Sequence, residues 1–133
     1  MVPLHSRSKL AGNALLILLA LMVIFHVLVL VGLVPSEIVW GGRATGSVTD
    51  TVILESIAVL VTIGFAWIVA MKVGYIRSLK RKWIVTAGMW VIFAYFCLNV
   101  VGNLASSSGA ERMIFTPVAV LMALLALRLA VAR

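Results

Sequence analysis

The sequence predicts an all-α fold: a polytopic transmembrane four-helix bundle with both ends on the cytoplasmic side (N-in/C-in). Three observations carry this reading. Apolar residues make up 64% of the chain and charged residues 11%, against roughly 45–50% and about 25% in a soluble domain. A chain of 133 residues has too little interior to hide that much apolar surface, so soluble, disordered and fibrous classes fall away. The apolar residues also gather in four runs near the length of about 20 residues that a bilayer-crossing helix needs. Finally, the charges sit mostly at the ends of those runs and are sorted by sign.

Span 1 covers about residues 13–34 and is rich in Leu, Val and Ile, interrupted by His26. Twenty-two residues rise about 33 Å, and Pro35 is expected to end the helix. Arg7 and Lys9 ahead of it imitate a secretory signal. The apolar stretch is longer than the roughly 7–15 residues of a signal core, however, and Pro35-Ser36-Glu37 follows in place of a cleavage site. We therefore read it as an uncleaved span.

Loop 1, residues 36–50, is the longest connection and contains Trp40-Gly41-Gly42-Arg43. Paired glycines permit backbone angles closed to other residues, and Trp40 reads as an interface anchor. Span 2, about 51–71, has Asp50 or Thr51 as its N-cap. Sixteen uncharged residues separate Glu55 from Lys72. They rise about 24 Å, less than the roughly 30 Å of hydrocarbon, so Glu55 should lie at or just inside the outer edge.

Loop 2, residues 72–82, carries Lys72, Arg77, Lys80, Arg81 and Lys82 and no acid, between Tyr75 and Trp83. Span 3, about 83–104, places Tyr95, Asn99 and Asn103 at i, i+4 and i+8, hence on one face. Trp83 and Trp90, seven apart, form a lipid-facing stripe. Small residues such as Gly64, Gly88, Ala94 and Gly102 are candidates for close helix approach. Loop 3 leads into Ser108-x-x-Glu111, which has capping-box spacing. Span 4, about 109–131, then contains Pro117, which should kink it. Starting that helix at Thr116 would leave about 15 residues, too few to cross. The four spans make 1–133 a single transmembrane domain with no room for a soluble one.

Sign sorting sets the topology. The N-terminal tail, loop 2 and the C-terminal end hold nine basic residues and no acid. Loops 1 and 3 with the adjoining helix starts hold Arg43 and Arg112 against Glu37, Asp50, Glu55 and Glu111. Both termini are therefore expected in the cytoplasm of a bacterial inner membrane. The small multidrug-resistance transporters share this size, but they need a weak charge bias and keep an essential Glu in span 1, where this chain has no acid. The net charge of +7 is membrane topology, and no nucleic-acid partner is expected.

Counting helical rise from the cytoplasmic ends puts His26, Glu55, Asn99, Asn103 and Thr116 in the outer half of the slab, with Arg43 on loop 1 able to fold over them. Ionisable groups in a membrane are costly and face the bundle interior or a wet cavity. Two readings follow. In one, these six residues form an outward-facing polar pocket, roofed by the Trp-Gly-Gly-Arg loop, in which Glu55 pairs with Arg43 or His26. In the other they are hydrogen-bonding glue between spans.

Other chemistries lack residues. The single Cys97 allows no internal disulfide. Two histidines and one cysteine give no metal-ligand set, nothing resembles a phosphate-cradling loop or a Gly-x-Ser-x-Gly nucleophile turn, and paired histidines for haem are missing. No cofactor is expected.

The stretch Val34-Pro35-Ser36-Glu37-Ile38-Val39-Trp40-Gly41-Gly42-Arg43, followed by Leu54-Glu55-Ser56 and Asn99-Val100-Val101-Gly102-Asn103-Leu104, resembles a set of short bacterial four-span membrane proteins with a Trp-Gly-Gly-Arg loop. The resemblance covers most of the chain and implies a fold and a location, with no activity attached. In size and span count the chain is also similar to the DoxX-like proteins, architecturally only.

Three functions fit these observations. The first is binding or transfer of a small amphipathic or lipid-like ligand in the outer pocket. The second is an accessory subunit whose polar faces are satisfied by a membrane-protein partner or a second copy. The third is a small membrane enzyme using His26 and Glu55 for acid–base chemistry.

Overall fold

The computed structural model describes residues 6–40 and 47–132. Among them, all regular structure is helical: α1 (Ser6–Leu30), a 3-10 turn (Ser36–Ile38), α2 (Val48–Val73), α3 (Lys82–Ala105), a π-helical turn (Glu111–Phe115) and α4 (Thr116–Val131). Four stretches (Ser6–Leu30, Val48–Val73, Lys82–Ala105 and Glu111–Val131) are long and apolar enough to cross a membrane.

The helix ends differ in detail from the sequence reading, each for a local reason. α1 is already helical at Ser6 and stops at Leu30, short of Pro35. Gly32 takes a left-handed φ of 78°, and the Leu33 and Gly32 amides reach back to the Leu28 and Val29 carbonyls. That is the double-bonded glycine cap that closes many helices. α2 begins one turn earlier than expected. Its N-cap is Ser47, whose hydroxyl accepts the Asp50 amide at 3.1 Å, so Asp50 is the third helical residue, where its charge suits the positive helix end. Gly74, with φ 91°, closes the other end.

Pro117 does lie within the fourth span, and the accommodation it demands is a wide turn. The five residues before Thr116 are π-helical, and the Thr116 amide bonds the Glu111 carbonyl five residues back. A proline ring clashes with the carbonyl four residues earlier, and widening the turn relieves this without ending the helix.

The helices run alternately up and down. α1 packs on α2 and α4, and α3 on α4 and α2. The core is a stripe from each helix: Leu15 and Leu19, Val69, Met89 and Ile92, and Met122, Ala126 and Leu129, all fully or nearly fully buried. Outward faces are as apolar as inward ones. Ile17, Leu60, Leu98 and Leu124 are all more than half exposed, as expected of a bundle whose surroundings are hydrocarbon.

Of the small residues named above, Gly88 sits at a close helix approach, and Gly12 joins it. Gly64 and Gly102 face open space, and Ala94 is exposed. The tight contacts are Gly88 against Ile68 and, tightest, Gly12, where an added Cβ would sit 2.2 Å from Val73 Cγ2. At that end of the bundle the Tyr75 hydroxyl donates to Asn13 Oδ1 at 2.7 Å, and Lys72 Nζ donates to the Ala132 carbonyl at 2.9 Å.

Candidate functional site

The opposite end gathers the remaining polar groups. The antiparallel pairing of α1 and α2 brings His26, one turn before the end of α1, level with Glu55, two turns into α2. His26 Nδ1 lies 2.8 Å from Glu55 Oε2. The other carboxylate oxygen, Oε1, accepts the Trp40 indole N–H at 2.7 Å. Glu55 is fully buried. A buried carboxylate is tolerated only when its oxygens are hydrogen-bonded, and here both are, by side chains from outside its own helix.

Trp40 therefore does more than anchor at an interface. It has φ 58°, the one positive value at a non-glycine among the described residues. A bulky residue in the left-handed region costs about 1–3 kcal/mol. The indole bond to Glu55 is the compensation on view, so loop 1 is bent to deliver a donor to a buried acid.

Beside this trio lies a cavity of about 120 Å³. His26, Trp40, Asn99, Asn103 and Glu111 contribute its polar wall, Phe25, Tyr95, Phe96 and Phe115 its aromatic wall, and Leu19, Met22 and Met122 part of its apolar floor. Two of its lining residues, Trp40 and Tyr95, are more than a third exposed. Glu55 stands behind His26 and Trp40. It orients the two side chains that line the cavity and is not itself among the lining residues.

The polar atoms around the cavity are sorted. Glu55 takes the Trp40 N–H, Asn99 Nδ2 donates to the Tyr95 carbonyl at 3.1 Å, and the Thr62 hydroxyl donates to the Ala58 carbonyl at 2.7 Å. Among the described residues, no buried side-chain nitrogen or oxygen lacks a partner. His26 Nε2 makes no hydrogen bond to the described residues, so it is one of the atoms open to a small molecule. Nδ1 serves as the donor to the carboxylate, which fixes the orientation of the ring.

The far wall is strapped by serines. Ser108 Oγ accepts the Glu111 amide and donates to the Ile38 carbonyl at 3.1 Å, tying loop 1 to loop 3 across the end of the bundle. The first of these bonds is half of the expected capping box. In place of the reciprocal half, the Glu111 carboxylate accepts the Ser106 hydroxyl, and Ser106 Oγ accepts the Ser108 amide. Glu111 is buried against the cavity as a result.

Of the six site residues read from the sequence, His26, Asn99 and Asn103 line the cavity and Glu55 supports it. Thr116 lies outside the lining, its hydroxyl bonded to the Glu111 carbonyl at 3.1 Å. Arg43 falls outside the described residues. The sequence makes the Trp-Gly-Gly-Arg loop a roof over the pocket but reads Trp40 itself as an interface anchor, and it does not mark Glu111 as a member of the site. Glu111 was visible at the right depth, but the capping-box spacing accounted for it locally. Searches against family models, curated proteins and solved structures find no match for this chain.

Proposed function

We propose that this is a multi-pass protein of the bacterial inner membrane, with both termini cytoplasmic, that binds or transfers a small amphipathic or lipid-like ligand in an outward-facing pocket. The observation that carries this reading is the cavity, with polar atoms on one wall and apolar side chains on the floor, beside a buried carboxylate that fixes two of its lining residues. Inter-span glue needs hydrogen bonds but no vacant volume. Ligand sites are concave and mostly apolar, with a few placed polar groups, and this one has that composition.

Native mass spectrometry of the protein released gently from its own membrane tests the reading. A discrete small mass, retained by the wild type and lost in Glu55→Gln, is expected. A chain that carries only bulk phospholipid, or a second polypeptide, would refute it and favour an accessory subunit. The orientation has its own test. In a Cys97→Ser background, a cysteine at Ser47 should react with a membrane-impermeant maleimide added outside, and one at Ser78 should not. The reverse pattern would overturn the topology.

One observation favours a second reading, a small membrane enzyme. Glu55 holds His26 by Nδ1 and leaves Nε2 open, which is how a carboxylate orients a general base. If that reading holds, His26→Ala and Glu55→Gln both abolish turnover, and wild-type behaviour in either variant sinks it.

A further inference from the structure

We infer that the basic end of the bundle is a docking surface for anionic phospholipid headgroups, held by Arg77, Lys80, Arg81 and Lys82 on the connection from α2 into α3 and by Arg7 and Lys9 on the first turn of α1. This surface lies at the opposite end from the cavity and meets headgroups whichever side of the membrane it faces. Four observations carry it.

The first is unanswered charge. All four acids of the sequence belong to the far end. Glu37 follows α1, Asp50 and Glu55 are near the start of α2, and Glu111 leads into α4. Even Glu55 and Lys72 are separated by about 25 Å of helix, well beyond the roughly 8 Å over which exposed charges interact at physiological salt. The six cations named above are exposed, and none of them forms an ion pair with a described residue.

The second is that this charge does not serve the fold. Anions stabilise the start of a helix and cations oppose its dipole. α3 nevertheless begins with Arg81 as N-cap and Lys82 as first residue, with no acid in its first turn and no side-chain cap. The first turn of α1 also lacks an acid. Cations placed where they weaken their own helices find their compensation outside the chain.

The third is depth. The 25 residues of α1 rise about 37 Å, against about 30 Å of hydrocarbon, and its polar first turn is the part that stands in the headgroup layer. Tyr75 and Trp83, both more than half exposed, bracket the α2–α3 connection, and such aromatics sit at that same level. A headgroup phosphate is the anion already present there.

The fourth is that the two groups of cations are held together. Lys9 Nζ lies 5.8 Å from the centroid of the Tyr75 ring, the Tyr75 hydroxyl is bonded to Asn13, and Gly12 lets Val73 close against α1. The start of α1 and the exit of α2 therefore form one surface. Contact with a ring face leaves the Lys9 N–H groups able to donate to a phosphate.

The test is a competition between two lipids. The full-length protein in detergent micelles is offered equal amounts of phosphatidylglycerol and phosphatidylcholine with matched acyl chains, and bound lipid is counted by native mass spectrometry. Each Lys or Arg near an anionic surface adds about fivefold to the attraction, so phosphatidylglycerol should be retained about tenfold or more over phosphatidylcholine at low salt. The preference should fall to about twofold near 1 M salt, where the screening length is about 3 Å. This arm uses the wild type, so the result does not hang on a variant's folding. Replacing Lys80, Arg81 and Lys82 together by Gln should also reduce the preference to about twofold, whereas Lys80→Arg with Lys82→Arg should keep it. Asp50→Asn adds a unit of net positive charge at the far end and should change nothing. Glu55→Gln should retain the phosphatidylglycerol too, which separates lipid bound here from a ligand of the cavity.

Equal retention of the two lipids, or a preference that survives high salt or the triple variant, overturns the lipid assignment. A preference that rises in Asp50→Asn overturns it as well, because it would follow net charge and not this surface. Loss of phosphatidylglycerol in Glu55→Gln would put the lipid in the cavity and refute docking at the basic end.

Discussion

Replacing Glu55 by Gln changes two hydrogen bonds and reverses the direction of one of them. In the wild type both carboxylate oxygens are engaged, Oε2 at 2.8 Å from His26 Nδ1 and Oε1 at 2.7 Å from Trp40 Nε1, and the group is fully buried. Hydrogen bonds to a charged group contribute about 1.5–3 kcal/mol and neutral ones about 0.5–1.5 kcal/mol. Gln keeps an oxygen for the Trp40 indole and presents an amide N–H₂ to His26, so both contacts can be remade in neutral form. The expected loss is about 1–3 kcal/mol, well below the roughly 3–5 kcal/mol typical when one partner of a buried charged pair is deleted. The third effect is functional. An amide donor facing Nδ1 makes that nitrogen the acceptor, and the ring proton moves to Nε2. Nε2 then carries a proton toward the cavity, and ligand binding should fall even though the fold is kept. Nitrogen-15 chemical shifts of the His26 ring report the tautomer directly, and equilibrium unfolding in mixed micelles gives the stability. An unchanged tautomer together with wild-type stability would refute the reasoning, because it would mean that the carboxylate does not hold the ring.

Other perturbations have equally direct readouts. Gly12→Ala puts a methyl 2.2 Å from Val73 Cγ2 and should destabilise the bundle by about 1–3 kcal/mol through overpacking. Gly64→Ala, facing open space, should be neutral or stabilising by up to about 1 kcal/mol, and unfolding titrations of the pair check the contrast. Ser108→Ala removes both the cap on the Glu111 amide and the strap to the Ile38 carbonyl. It should cost about 1–2 kcal/mol, with faster hydrogen exchange at Glu111 while the core amides stay protected. Trp40→Phe keeps a ring at the rim and deletes the donor to Glu55. A loss of about 1.5–3 kcal/mol is expected, seen as a lower unfolding midpoint with the helical circular dichroism retained.

How much of this was legible in the sequence depends on the range of the interaction. The spans were readable because each is a composition averaged over some twenty positions, and a shift of a few residues at an end does not change the average. Helix ends were less readable. Gly32 stopped α1 before Pro35 and Ser47 capped α2 before Asp50, because a cap is decided by one or two backbone angles. The Ser108 to Glu111 cap was found because its partners are three residues apart and touch within one turn.

The sequence by itself determined the class of the molecule, four apolar helices with a polar band near one end, since hydrophobicity and helical rise need no partner. It also singled out His26, Glu55, Asn99 and Asn103 as groups too costly to face lipid. Only the tertiary structure decided which of them meet. The His26–Glu55 bond joins residues 29 apart and the Ser108–Ile38 bond residues 70 apart, and each depends on how far one helix is rotated against another. Trp40 shows the point most plainly. Its polarity suited an interface, and a left-handed backbone angle in a loop turned it inward to the buried acid. Helix rotation and loop conformation come from packing of the whole chain, and no local pattern encodes them.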